Sequence, residues 1–172
     1  LKTLEEPGHG LLILLTAAPE RLLSTIRSRC QLIRFVRLDV GSVTQVLHRF
    51  DAVEHDPPEL LAMAAGSPGA LLEHRSRWAA LPTELMPRLR HLPNEPMHAL
   101  ALARDVCEAL DGEQQLWLID WWQQALWTSS GDVRSLKRLE TLRRQLLSFV
   151  QPRLAWEVAL LDLTTDPTTA LA

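Results

Sequence analysis

LLILLTAAPERLLSTIRSRCQLIRFVRL, residues 11–38, is the stretch on which the reading of this chain turns. It opens on an uninterrupted apolar run, "LLILLT" at 11–16, of the length of a strand covered on both faces. It closes on "QLIRFVRL" at 31–38, where Leu32, Ile33, Phe35, Val36 and Leu38 give a second strand-like pattern. Between the two runs, Pro19 suits the first position of a short helix, with Leu22, Leu23 and Ile26 as its apolar side. Strand, helix, strand over this distance predicts the tail of an α/β sheet domain. The connection is also unusually basic, with Arg27 and Arg29 flanking Ser28 and Cys30 following.

On the N-terminal side, "LKTLEEP" places Leu1 and Leu4 on one helical face and ends at Pro7. It reads as the last turns of a helix begun upstream, so the chain is expected to be the C-terminal portion of a longer protein. On the other side nothing after Val40 has strand patterning. "SVTQVLHRF" puts Val43, Val46, Leu47 and Phe50 at helical spacing behind Ser42 as N-cap. "PPELLAMAAG" predicts a second short helix ended by Gly66, and "SPGALLEHRSRWAA" a third, capped by Ser67 and broken before Pro82. Longer helices are predicted over 83–92, 96–111, 113–128, 133–150 and 153–163, punctuated by Gly112, Gly131 and Pro152. The tail "TTDPTTALA" is polar and weakly patterned, and is expected to be loose.

Composition sets the outer bounds. The chain has 172 residues, 47% hydrophobic and 23% charged, which is ordinary for a globular domain. A formal net charge of −3 gives no overall electrostatic drive toward DNA or anionic membranes. Cys30 and Cys107 are the two cysteines, and the absence of a CxxC pair argues against a zinc site. Two widely separated cysteines suit reduced cytosolic thiols better than a disulfide. The apolar run Leu11 to Leu15 is too short to cross a bilayer, and no secretory leader pattern occurs. These features together predict a cytoplasmic protein without a membrane partner.

The passages "LEEP", "LLILLT", "PERLL" and "TIRSRCQ" occur in the order and spacing of the clamp-loader branch of the AAA+ ATPases, which residues 1–39 resemble. Within that branch they look most like the delta-prime family of bacterial DNA polymerase III. "MAAGSPGALLE" resembles the family's lid helix, and "QPRLAWEVALLDL" its last helix. Ser24 departs from the pattern, where the family more often has proline. The implied fold is mostly α: the C-terminal end of an AAA+ sheet domain (1–39), a three-helix lid (40–80) and an all-α collar that oligomerises (81–172). Joints are expected near Leu38–Gly41 and Ala80–Pro82.

The resemblance also implies site residues. Ser28, Arg29 and Cys30 match the family's Ser-Arg-Cys motif, in which the arginine reaches ATP bound on the neighbouring subunit. A guanidinium at the γ-phosphate stabilises charge spreading over the transferred group and can act in trans. Taken alone, Arg29 reads first as a surface arginine that is solvated or paired with an acidic neighbour, and only the motif favours the finger. Thr16 stands at the position called sensor 1, beside the γ-phosphate; by its residue type alone it reads as a threonine closing a strand by bonding into a turn.

The lid helix of ATP-hydrolysing members starts with an arginine. Here that place holds Pro68 and Gly69, with Arg75 and Arg77 two turns too late. This points to a non-hydrolysing subunit with no cofactor of its own in this portion, working beside ATP on a neighbour. The implied partners are the gamma/tau and delta subunits, with the sliding clamp and primed DNA reached through the complex. A gamma/tau ATPase subunit is the alternative within the family. A helical adaptor or DNA-binding protein is the alternative outside it.

Other features read more plainly. Arg134, Lys137, Arg138 and Arg144 form a basic side on the 133–150 helix, suited to a solvated surface or, less directly, to DNA. Trp117, Trp121, Trp122 and Trp127 fall in one predicted helix and cannot share one face, so core filling comes first and burial against another subunit second. None of the six histidines has a metal-ligand spacing, and no serine sits in a G-x-S-x-G frame.

Overall fold

Prolines and acidic caps decide where the helices of this chain begin. The computed structural model describes residues 10–52, 54–148 and 150–164, which divide between Val36 and Arg37 into two units. In the first, a 3₁₀ turn covers Pro19–Arg21 and a one-turn helix, α1, covers Ser24–Arg27. In the second, eight helices follow: α2 (Val40–His48), α3 (Pro58–Ala64), α4 (Pro68–Ala79), α5 (Leu85–Arg90), α6 (Pro96–Ala109), α7 (Gly112–Ser129), α8 (Val133–Leu146) and α9 (Pro152–Thr164).

Proline opens α3, α4, α6 and α9, where its missing N–H would have had no helical partner. Asp39, Ser67, Asp111 and Asp132 accept backbone N–H groups of the first turn of α2, α4, α7 and α8. Asp111 and Gln114 form a reciprocal capping box. The expectation for α2 needs correcting: Asp39, not Ser42, is its cap, and Ser42 is the donor, through both N–H (2.9 Å) and Oγ–H (2.7 Å). The two carboxylate oxygens of Asp39 accept one bond each, and the carboxylate has no proton to donate.

Among the described residues no strand forms, so the sheet expected over 11–16 and 31–38 is not present there. The reason is physical. A doubly covered strand exists only between laddered neighbours and under helices, and Leu11, Ile13, Leu15, Phe35 and Val36 stay largely exposed. The helix expected after Pro19 is split into the 3₁₀ turn and α1. The "LKTLEEP" segment and most of the polar tail lie outside the described residues.

Beyond Val40 one continuous core runs from Val43 of α2 to Leu163 of α9. Helix α9 packs on α6 and α8, α7 on α8 and α3, and α4 on α2 and α3. Trp121, Trp122 and Trp156 are fully buried, each worth roughly 4–6 kcal/mol of apolar burial before ordering costs. Trp122 stacks on Trp156 across α7 and α9, and Trp78 meets Trp121 edge-on at 5.5 Å. Buried Gln115 ties this layer together: its Oε1 accepts the Trp156 indole N–H at 2.9 Å and its Nε2 donates to the Leu110 carbonyl at 2.9 Å. Trp117 donates to His74 Nδ1 at 3.0 Å and joins α7 to α4. Trp127, by contrast, is 60% exposed. Three of the α7 tryptophans therefore fill the core and the fourth faces outward.

Candidate functional site

The segment from Thr16 to Cys30 is built from very local bonds. Thr16 Oγ1 accepts the Ala18 N–H at 3.1 Å, closing a turn. Pro19 then sets the 3₁₀ turn, with the Arg21 N–H donating to the Ala18 carbonyl at 3.0 Å. Helix α1 gains its turn from the Arg27 and Ser28 N–H groups, which donate to Leu23 and Ser24 carbonyls. Leu22 and Ile26 are half-buried and supply the segment's apolar hold.

The motif residues lie at the C-terminal end of α1. Ser28 Oγ–H donates to the Thr25 carbonyl at 3.2 Å, and Arg29 Nη1 donates to the same oxygen at 2.8 Å. The helix end thus accepts a cation where its dipole is negative. Arg27, Ser28, Arg29 and Cys30 are all exposed, and Cys30 is a free thiol. From Arg21 to Arg37 the sequence has five arginines and no acidic residue after Glu20. A neutral carbonyl bond on an exposed guanidinium is worth only about 1 kcal/mol.

Thr16 belongs to the same segment, held in its own turn. Pro68 and Gly69 occupy the start of α4. The two arginines farther along α4 are structural. Arg75 forms a bidentate pair with Asp56, at 2.6 Å through both Nε and Nη2, and its Nη1 donates to the Ala52 carbonyl at 2.6 Å. The Asp56 hydrogen bond raises the Arg75 pKa further above its ordinary value. Arg77 bridges Glu73 (2.8 Å) and Glu113 (2.9 Å).

On the basic side of α8, Arg138 pairs with Asp162 at 3.0 Å, and on the same helix Arg143 pairs with Asp120. Sequence reasoning missed the ion pair of Arg90 with buried Glu59 at 2.5 Å, with the guanidinium over the Trp121 ring. It also missed the contact between Leu38 and Gly66, where the Leu38 N–H donates to the Gly66 carbonyl at 3.1 Å. Both join residues far apart in sequence, so neither leaves a local pattern.

Among the described residues no group of His, Cys, Asp and Glu gathers as a metal-ligand set, and no helix is long and apolar enough to cross a membrane. Residues 41–163, more than half of the chain, match the family model described as cyanobacterial DNA polymerase III delta prime, C-terminal domain. Residues 1–39 match the model described as DNA polymerase III, delta subunit. No curated protein and no solved structure matches the chain.

Proposed function

We propose, from the premise that the chain belongs to the DNA polymerase III delta-prime family, that it serves the clamp loader as a non-hydrolysing subunit and lends Arg29 to ATP on its neighbour. The observation that carries this reading is the presentation of Ser28-Arg29-Cys30 at the exposed C-terminal end of a one-turn helix, in a stretch, 21–37, whose sequence has five arginines.

In this reading Ser28 fastens the helix end through the Thr25 carbonyl, and Cys30 carries the chain away from it. Arg29 leaves Thr25 for the γ-phosphate, where its planar fork meets two oxygens and neutralises charge as the phosphoryl group transfers. Thr16, held in the adjacent turn, is assigned to the sensor-1 position. The uncharged start of α4, at Pro68 and Gly69, supports a subunit that does not hydrolyse ATP itself. Residues 1–39, 40–80 and 81–172 act as sheet end, lid and collar. The collar is proposed to contact the gamma/tau and delta subunits, and the complex to place the sliding clamp on primed DNA in the cytoplasm.

The test is ATP hydrolysis by the assembled loader. Arg29→Ala should slow one site by roughly a thousandfold or more. Arg29→Lys should recover part of the loss, keeping the charge without the fork. Arg27→Ala, close by and equally charged, should change little. Wild-type hydrolysis in Arg29→Ala, or equal damage from Arg27→Ala, sinks the reading.

A further inference from the structure

Within the helical unit, a charge lies buried where two sets of helices meet. Helices α2–α4 precede the joint expected at Ala80–Pro82 and α5–α9 follow it, yet all belong to the unit that begins at Arg37. The joint itself is held: Leu81 is buried, and its N–H donates to the Trp78 carbonyl at 3.1 Å. Across the joint, Glu59 in the first turn of α3 meets Arg90, the last residue of α5, at 2.5 Å. The Arg90 guanidinium also lies 5.4 Å from the centre of the Trp121 ring in α7, and Trp121 meets Trp78 of α4 edge-on.

The two members of the pair are unequal. The Glu59 side chain is 7% exposed and that of Arg90 38%. Glu59 Oε1 meets Arg90, while its Oε2 is buried with no hydrogen-bond partner among the described residues. A carboxylate out of water is tolerated only while a cation compensates it. Arg90 can turn its guanidinium to water on a flexible stem if the carboxylate is removed. Glu59 reaches water only if α3 leaves its neighbours. Arg77–Glu113, the other ion pair across the joint, sits in water and holds weakly.

We propose that Glu59 and Arg90 form a charged latch that fastens α2–α4 to α5–α9, so that the segments on either side of Ala80–Pro82 move as one body while the pair is closed. Opening returns both ions to water, which offsets much of the attraction lost. The latch does not depend on the role of Arg29. It decides whether the proposed lid swings at its joint or carries the proposed collar with it.

Hydrogen exchange on the full-length protein tests this, with Arg90→Met, Glu59→Met and the double variant. Methionine supplies an unbranched, adaptable side chain without charge at both places. In the wild type, core amides of α3 and α4, Leu71 among them, should match the protection of those in α8 and α9, Leu142 and Leu160 among them, to within about threefold, because one body opens as a unit. Arg90→Met strands the carboxylate. Protection in α3 and α4 should then fall roughly ten- to a hundredfold, while α8 and α9 keep theirs. Glu59→Met should lose less than about threefold, since the freed cation reaches water. The double variant should return from the Arg90→Met level to that of Glu59→Met, because no charge is left in the core. Removing the more exposed partner thus does the greater damage.

Wild-type α3 and α4 amides exchanging more than about threefold faster than those of α8 and α9 overturn the single body. Unchanged protection in Arg90→Met, or an equal loss in all four helices, overturns the latch. So does a double variant no better protected than Arg90→Met, which would assign the loss to the contact with Trp121. If Arg90→Met does not fold, the double variant decides. Folded, with α3 and α4 protected like α8 and α9, it supports the latch; unfolded, it overturns it.

Discussion

Residues 11–38 and residues 113–128 carry comparable apolar content, and the structure treats them in opposite ways. In α7, Leu118, Ile119, Trp121 and Trp122 are wholly buried, because α3 and α8 pack against that helix. In the first stretch Leu11 is 85% exposed and Phe35 91%. Apolar pattern is a local property of sequence, whereas burial depends on partners. The stretch that stays largely exposed is also the one that carries the Ser-Arg-Cys motif. Fold and chemistry are thus allotted to different parts of the chain, and substitutions should separate them.

The sharpest separation is a crossed pair. Arg29→Ala should cost the loader roughly a thousandfold in hydrolysis at one site while shifting stability by no more than about 0.5 kcal/mol, as surface changes do. Trp122→Ala should do the reverse. It removes the stacking partner of Trp156 from a fully buried site and should cost roughly 3–5 kcal/mol. Urea unfolding and ATP turnover measured on both proteins decide it. If Arg29→Ala unfolds the protein, or Trp122→Ala leaves the midpoint unmoved, the division between the two regions is wrong.

A smaller effect tests whether polar groups specify the helical core. Gln115→Leu keeps much of the volume but deprives the Trp156 N–H and the Leu110 carbonyl of their partner. A buried group left unsatisfied costs roughly 1–3 kcal/mol, so the urea midpoint should fall by less than for Trp122→Ala. A midpoint that stays at the wild-type value would show that water replaces the amide.

These contrasts also explain what could be read from sequence. Starts of α6, α7, α8 and α9 were legible to within a residue, because Pro96, Pro152 and the Asp111 and Asp132 caps are local signals. Helix ends were less legible. Helix α8 stops at Leu146 and not near 150, where the Ser148 N–H turns back to the Gln145 carbonyl. The Asp39 cap was missed because Ser42 competes for the same role in sequence and only geometry makes it the donor. The Glu59–Arg90, Gln115–Trp156 and Leu38–Gly66 contacts have no sequence signal. For the candidate site the balance reverses: the motif was legible as a string, while Arg29 resting on the Thr25 carbonyl came only from coordinates.

Acid should act on the helical unit through its caps and ion pairs. Hydrogen bonds from Ser135 hold the Asp132 carboxyl below its ordinary value, and the Arg88 hydrogen bond does the same for Asp105. A carboxyl depressed in the folded state binds its proton more readily when unfolded. Its stabilisation is therefore complete above the unfolded value, near 3.8, and is lost as pH falls through the lower folded value. Urea midpoints should hold from pH 7 to about 5 and drop toward pH 3. Asp132→Asn, which still caps but cannot ionise, should show a shallower fall. An equally steep fall would assign the acid sensitivity elsewhere.

The smallest expected effect concerns Trp127. It lies on the same helix as Trp117, Trp121 and Trp122, yet it is 60% exposed on the groove lined by Gln123, Gln124, Val133 and Leu136. In isolation its truncation removes little buried area, since most of the indole already meets water. Trp127→Ala should therefore move the melting temperature by no more than about 1–2 °C, the shift that 0.5 kcal/mol produces in a chain of this size. Trp122→Ala should move it several times as far. The pair compares one residue type, in one helix, in two environments, so side-chain chemistry cancels and burial alone remains. Equal shifts would mean that the exposed indole is packed in solution, and would place Trp127 with the core instead of with the surface through which the collar is proposed to meet its neighbours.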